Sequence, residues 1–226
     1  MARNGWSGSN VLRLGSIMGL ARPLTMSCWG KASSLASIGT MMALLKAASS
    51  GNDDLYKLSL NTNGTAQIVI GATGATSFAS TSTSVSTGVW FQASAVFASA
   101  TDHRVFLNGG GKGTSSTSRT PGTLDRTAIG NRDNAGAAQA FAGELAHAAI
   151  WNIALSDAEN AMLAFVSPLR VRPDALVAYW PIDGISSPEI NPLSNANAIS
   201  IVGSLSAAND APIIRPKQSR RGAWNV

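Results

Sequence analysis

The sequence predicts an all-β fold, a two-sheet antiparallel β-sandwich with one short helix. Three observations carry that expectation. Short apolar runs recur along most of the chain between turn signals, and Asn63-Gly64 and Asn108-Gly109 are strong hairpin turns among them. A convincing helical spacing of apolar residues occurs at one place, after Ser156. The 226 residues are 45% hydrophobic and 13% charged. That supplies a core for one domain of this length, while charge falls well below the roughly 25% of average domains.

In chain order, residues 1–22 read as an irregular N-terminal segment in which Val11-Leu12-Arg13-Leu14 is an edge strand. Pro23-Leu24-Thr25-Met26-Ser27-Cys28-Trp29-Gly30-Lys31 reads as a long strand, and its lone cysteine excludes an internal disulfide. Cys28 beside Trp29 is expected to be buried as a small apolar residue. Tyr56-Lys57-Leu58-Ser59-Leu60 and Ala66-Gln67-Ile68-Val69-Ile70 alternate in character and flank the Asn63-Gly64 turn. The Ser/Thr run from Thr76 to Thr87 is low in complexity but compatible with a strand, because Thr suits a pleated surface.

Gly88-Val89-Trp90-Phe91-Gln92-Ala93-Ser94-Ala95-Val96-Phe97 is a Trp-led strand. Arg104-Val105-Phe106-Leu107 runs into Asn108-Gly109, Ala128-Ile129-Gly130-Asn131 enters a polar loop, and Phe141-Ala142-Gly143-Glu144-Leu145 leads on to Trp151. Ser156 with Glu159 makes a capping box, and Ala158, Ala161, Met162 and Phe165 are expected to form the face packed on the sandwich before Pro168 stops the helix. Leu176-Val177-Ala178-Tyr179-Trp180-Pro181 and Ala198-Ile199-Ser200-Ile201-Val202 read as two further strands. The expected organisation is one domain over 23–205 and a basic, Pro-containing arm over 206–226.

In this order, the motifs from Gly88 to the helix resemble the laminin-G-like and pentraxin-like branch of the concanavalin A-like jelly rolls, and Pro23 to Lys31 resembles that family's early strand. One motif is out of place. Leu176 to Gly184 resembles the strand that usually opens such domains, yet it follows the helix. A permuted strand order within one jelly roll accounts for this, whereas a second domain would have too few residues to bury a core.

The residue chemistry of an enzyme is largely missing. Jelly-roll glucanases, by resemblance, carry Glu-x-Asp-x-x-Glu on one strand, since a nucleophile and an acid must flank one glycosidic bond. The 12 acids here are scattered. Asp157 and Glu159 are accounted for by the helix N-terminus. His103 and His147, the only histidines, are paired with no evident nucleophile. Asn108-Gly109-Gly110-Gly111-Lys112-Gly113-Thr114 is no phosphate loop, because Gly113 breaks the Gly-Lys-Ser/Thr order and no helix pattern follows. No organic cofactor is expected. The resemblance implies calcium as the one candidate ion, with Asp53, Asp54 and Asp133 as its ligands, although Arg132 opposes a cation there.

Net charge is +5, with a sequence pI near 9.9, and much of the excess lies in the tail. Arg215, Lys217, Arg220, Arg221 and Trp224 are therefore read as an arm that contacts a neighbouring subunit, with nucleic acid a weaker option for want of a basic stripe interleaved with aromatics. Met1 to Trp6 is followed by no apolar signal region, and no run is long enough to span a bilayer.

Domains resembling this one look like those carried by bacteriophage genomes. The resemblance thus implies a non-enzymatic virion protein, a capsid decoration, head-fibre or tail component. Its partners would be major capsid protein or tail subunits and further copies of itself, and the chain would be made in the host cytoplasm. The alternative is a lectin-like module for a host surface glycan. For such a module Trp6 and Trp224 look free, whereas Trp29, Trp90, Trp151 and Trp180 sit in strand motifs and read as core.

Overall fold

The computed structural model describes residues 2–135, 138–184, 187–194 and 197–208. Two antiparallel sheets face each other across one main core. The strands are β1 (Ala2–Asn4), β2 (Val11–Leu14), β3 (Leu24–Ala32), β4 (Gly39–Leu45), β5 (Leu55–Leu60), β6 (Thr65–Ala72), β7 (Ala75–Ser84) and β8 (Trp90–Phe97). They continue with β9 (His103–Leu107), β10 (Gly110–Ser115), β11 (Arg126–Ile129) and β12 (Gly143–Trp151). After the helix α1 (Asp157–Met162) come β13 (Leu176–Trp180), β14 (Ser200–Val202) and β15 (Ser206–Ala208).

Sheet A runs β10-β9-β8-β3-β12-β1-β15, with β13 also paired to β12, and sheet B runs β14-β2-β11-β4-β5-β6-β7. Period-2 alternation explains how one strand serves two environments. Leu24, Met26 and Cys28 of β3 enter the main core with Leu58, Ile68, Phe91, Ile150 and Trp180, whereas Thr25, Ser27, Trp29 and Lys31 take the opposite face. Burial raises the Cys28 thiol far above its ordinary range, so it acts as a small apolar side chain.

The far edge of β12 is divided between two strands. Arg3 of β1 stands opposite Leu145, while β13 pairs Trp180 with Ala148 and Tyr179 with Ala149. The change-over falls at His147, whose φ of +51° marks the irregularity in β12 and whose backbone N–H donates to Pro181. The late strand Leu176–Trp180 is thus built into the same sandwich, as a permuted order requires.

Several expectations need correction. The segment 1–22 is not merely irregular, since β1 joins sheet A and β2 joins sheet B. Nor is β2 an edge strand. It pairs with β11 on one side and with β14 on the other, so a strand from the C-terminal part of the chain covers its free edge. The span 206–208 is sheet, not arm, since Ala208 stands opposite Ala2.

Helix α1 has its capping box as expected, with the Ser156 N–H donating to Glu159 Oε2 at 2.7 Å and the Glu159 N–H to Ser156 Oγ at 3.3 Å. Its packed face differs from the one expected. Met162 and Phe165 are exposed, and Leu155, Asn160 and Leu163 are buried instead. Asn160 is drawn inward because the sheet presents Ser94 there, and a buried polar pair satisfies itself by hydrogen bonding. No helix among the described residues is long and apolar enough to cross a membrane.

Candidate functional site

The outer face of sheet A is a grid whose rows are set by strand register. Glu144 of β12, Lys31 of β3 and Trp90 of β8 stand side by side in one row. The next row is Ala146, Trp29 and Gln92. Past the irregularity at His147 come Ala149, Ser27 and Ser94, then Trp151, Thr25 and Val96.

The last two rows are roofed. Ser94 Oγ donates to Asn160 Oδ1 at 2.7 Å, Thr25 Oγ1 donates to the Ile153 carbonyl at 2.8 Å, and Trp151 Nε1 donates to the Val171 carbonyl at 2.7 Å. Leu155, Leu163, Val171 and Tyr179 pack on Trp151 to form a second small core beneath the helix.

The first row lies beyond that roof, and its Lys31 and Glu144 line an open groove of about 650 Å³ together with Trp6, Ser33 and Gly88, while Trp90 stands outside that lining. Lys31 Nζ sits 3.2 Å from Glu144 Oε1 and 6.0 Å from the ring centroid of Trp90. The second Glu144 oxygen has no hydrogen-bond partner. A half-buried indole, an ammonium with three donors and a carboxylate whose second oxygen is buried without a partner therefore share one row. That set offers an apolar plate for the C–H face of a ring and both hydrogen-bonding polarities for its substituents.

The strand motifs of Trp29 and Trp90 predict core positions and leave Trp6 free. Trp29 is buried as expected, though on the outer face of sheet A, whereas Trp90 is only half-buried and Trp6 is buried. Trp6 is 5% exposed, donates its indole N–H to the Arg3 carbonyl at 3.2 Å and occupies the space beside Gly130, where a Cβ would stand 1.9 Å from the ring. Trp29 and Trp90 lie on the outer face and pack with Ala2, Ala146 and Ala208 in a small cluster of their own. Lys31, Glu144 and Gln92 were not singled out, although the alternation in β3 and β8 is the signal that places Lys31 and Gln92 on the face opposite the core.

The calcium candidates fall in two neighbouring loops of sheet B, and each carboxylate is already engaged by groups of the protein itself. Asp133 is engaged by Arg13 through both carboxylate oxygens and by Arg126 at 3.1 Å. Asp54 accepts from the Gly122 N–H at 2.8 Å and from Thr73, and Asp53 accepts from the Gly74 N–H at 3.2 Å. Between the two loops, Lys57 Nζ and Arg132 Nη1 each lie 3.2 Å from the same Asn52 Oδ1. Among the described residues no group of three His, Cys, Asp or Glu could hold a metal. This donor set does not fit a calcium ion, which wants six to eight oxygens free of competing cations.

Lys57 is buried with only amide oxygens as hydrogen-bond acceptors, Asn52 Oδ1 and Gln139 Oε1 at 2.6 Å. Burial, helped by the Arg132 charge, pushes its ammonium down to about 7. His147 Nδ1 lies 2.7 Å from the Tyr179 hydroxyl, with the two rings stacked, while burial lowers His103. The arm candidates Arg215, Lys217, Arg220, Arg221 and Trp224 lie outside the described residues.

A model of the laminin G-like type within the concanavalin A-like lectin/glucanases superfamily matches residues 7–159. The chain belongs to that superfamily. β13, β14 and β15 lie beyond the matched stretch, where the permuted strand falls.

The lectin-like sandwich recurs in solved structures of low identity. A putative carbohydrate binding protein from Bacteroides ovatus aligns with a TM-score of 0.63 at 15% identity, covering 94% of this chain and 60% of that one. The heptameric SAP-like pentraxin of Limulus polyphemus aligns at 0.56 and 17% identity, covering 72% and 81%. The Ruminococcus gnavus IT-sialidase CBM40 bound to α2,3-sialyllactose aligns at 0.56 and 12% identity, covering 72% and 97%. Among curated proteins, none matches the sequence.

Proposed function

We propose that this lectin-like domain is a non-enzymatic carbohydrate-binding module whose ligand lies in the groove over the Glu144, Lys31 and Trp90 row. The observation that carries the reading is the register of that row, which sets a cation and a carboxylate that line an open groove beside a half-buried indole. Stacking on the indole supplies apolar contact, and the Lys31 and Glu144 pair orients hydroxyl groups. The sialyllactose complex of the CBM40 module and the description of the Bacteroides ovatus protein support glycans as the ligand class.

The virion setting implied by resemblance to phage-carried domains is compatible with this reading, since a glycan-binding domain displayed on a particle is an adhesin. The 209–226 segment would tether it to capsid or tail subunits. A glycan array with full-length protein and its Trp90→Ala variant tests the binding role, and a blank array would overturn it. Reducing-sugar release from any bound glycan would overturn the non-enzymatic part. Co-sedimentation of full-length protein and a 1–208 truncation with particles tests the setting separately. Saturable binding lost on truncation is the expected result, and binding that survives it would remove the tether.

A further inference from the structure

We infer that the row beside the groove, Trp29 with Gln92, selects a secondary amide, the acetamido group of an N-acetylated sugar. The inference rests on the glycan-binding reading and narrows its ligand class. Trp29 and Gln92 are directly paired across β3 and β8 on the outer face, which puts their Cβ atoms roughly 5 Å apart. Both are nearly or fully buried, and each keeps one polar atom without a partner, the indole Nε1 of Trp29 and the amide Oε1 of Gln92.

The Gln92 amide is pinned. Its Nε2 donates to Ser27 Oγ at 2.9 Å, towards the helix-roofed rows, which turns Oε1 the other way. Leaving two buried polar atoms unpaired is costly, and such atoms in a native structure call for a partner. Here one is a donor and the other an acceptor. A hydroxyl satisfies such a pair only by serving as donor and acceptor through a single oxygen, whereas a secondary amide offers a carbonyl and an N–H on separate atoms at either side of a planar unit. Its carbonyl would accept from Trp29 Nε1 and its N–H would donate to Gln92 Oε1. Beside the pair, the apolar cluster of Trp29, Trp90, Ala146 and Ala2 suits a methyl group.

Entry is from the groove row. Neither polar atom reaches the surface, so entry requires the partly buried Trp90 and the flexible Lys31 side chain beside it to move aside. The sugar ring then remains over the groove, in contact with Trp90 and Glu144.

Pairs of glycans differing only in acetamido against hydroxyl, displayed on one array and then titrated as free oligosaccharides such as triacetylchitotriose and cellotriose, which differ at C2 of each ring, test the inference with the full-length protein. The expected result is a preference of about tenfold or more for the acetamido member, from two added hydrogen bonds. Trp29→Phe keeps an aromatic ring, though a smaller one, and removes the N–H, and Gln92→Met keeps the length and removes the acceptor. Each is expected to bring that ratio towards one, with thermal unfolding recorded for both so that a misfolded variant is recognised and the other is used. Equal binding of the two members by the wild type, or a ratio that survives both substitutions, would overturn the inference while leaving glycan binding in place. A wholly blank array overturns both.

Discussion

The Lys31 ammonium lies 6.0 Å from the ring centroid of Trp90, its neighbour across β3 and β8, and 3.2 Å from the Glu144 carboxylate on the other side. One lysine thus links an aromatic plate to an acid across three adjacent strands. Partial exposure makes this pairing weak as a source of stability, so its residues are available to a ligand. Trp90→Ala is expected to weaken glycan binding by about tenfold, ~1.4 kcal/mol, as read by calorimetric titration. Its unfolding midpoint should change less than that of Trp180→Ala, which empties the main core.

The helix is held to sheet A through a buried polar contact. Asn160 accepts from Ser94 Oγ and donates to the carbonyls of Leu155 and Ser156 at 3.3 and 2.9 Å. Asn160→Ala leaves the Ser94 hydroxyl buried without that partner. A loss of about 2 kcal/mol in urea unfolding is expected. Met162→Ala, on the exposed face, should cost less than ~0.5 kcal/mol.

Gly130 has φ +87°, and any Cβ there would collide with the Trp6 ring. Gly130→Ala is expected to destabilise by more than ~2 kcal/mol and to red-shift tryptophan fluorescence as the indole is pushed towards solvent. An unshifted spectrum with native stability would show that Trp6 is not seated there.

Lys57 makes stability depend on pH. Its folded value of about 7 lies below the ordinary lysine value of 10.5, so between the two the unfolded chain holds a proton that the folded chain does not. Wild-type stability should therefore fall as pH drops from about 10.5 towards 7 and take no further slope from this group below that. Lys57→Met removes the slope. Its stability relative to wild type is expected to rise over that window by a few kcal/mol at most, measured by urea unfolding at several pH values.

The strand pattern was legible because turn chemistry and period-2 alternation are local. Asn63-Gly64 does close the β5 and β6 hairpin, and the Ser/Thr run does form β7. The face each strand turns inward was less legible. β3 carries large apolar groups on both sides, Met26 and Trp29, and only the presence of sheet B on one side puts the first in the main core and the second in a small buried cluster on the outer face. Proximity to the terminus made Trp6 look free, but the missing side chain of Gly130, more than a hundred residues later, makes room for it. Acidic loops resembled calcium ligands until folding brought Arg13 and Arg126 onto Asp133.

By itself, then, the chain determined its class, its superfamily motifs, the capped helix and the strand displaced to follow it, since each is encoded by neighbours within a few positions. Tertiary structure decided the rest. It set Lys31 between Trp90 and Glu144, drew Asn160 rather than Met162 under the helix, and closed the free edge of β2 with β14. Those outcomes depend on register between strands far apart in sequence, and a one-residue shift in register would turn every side chain to the other face.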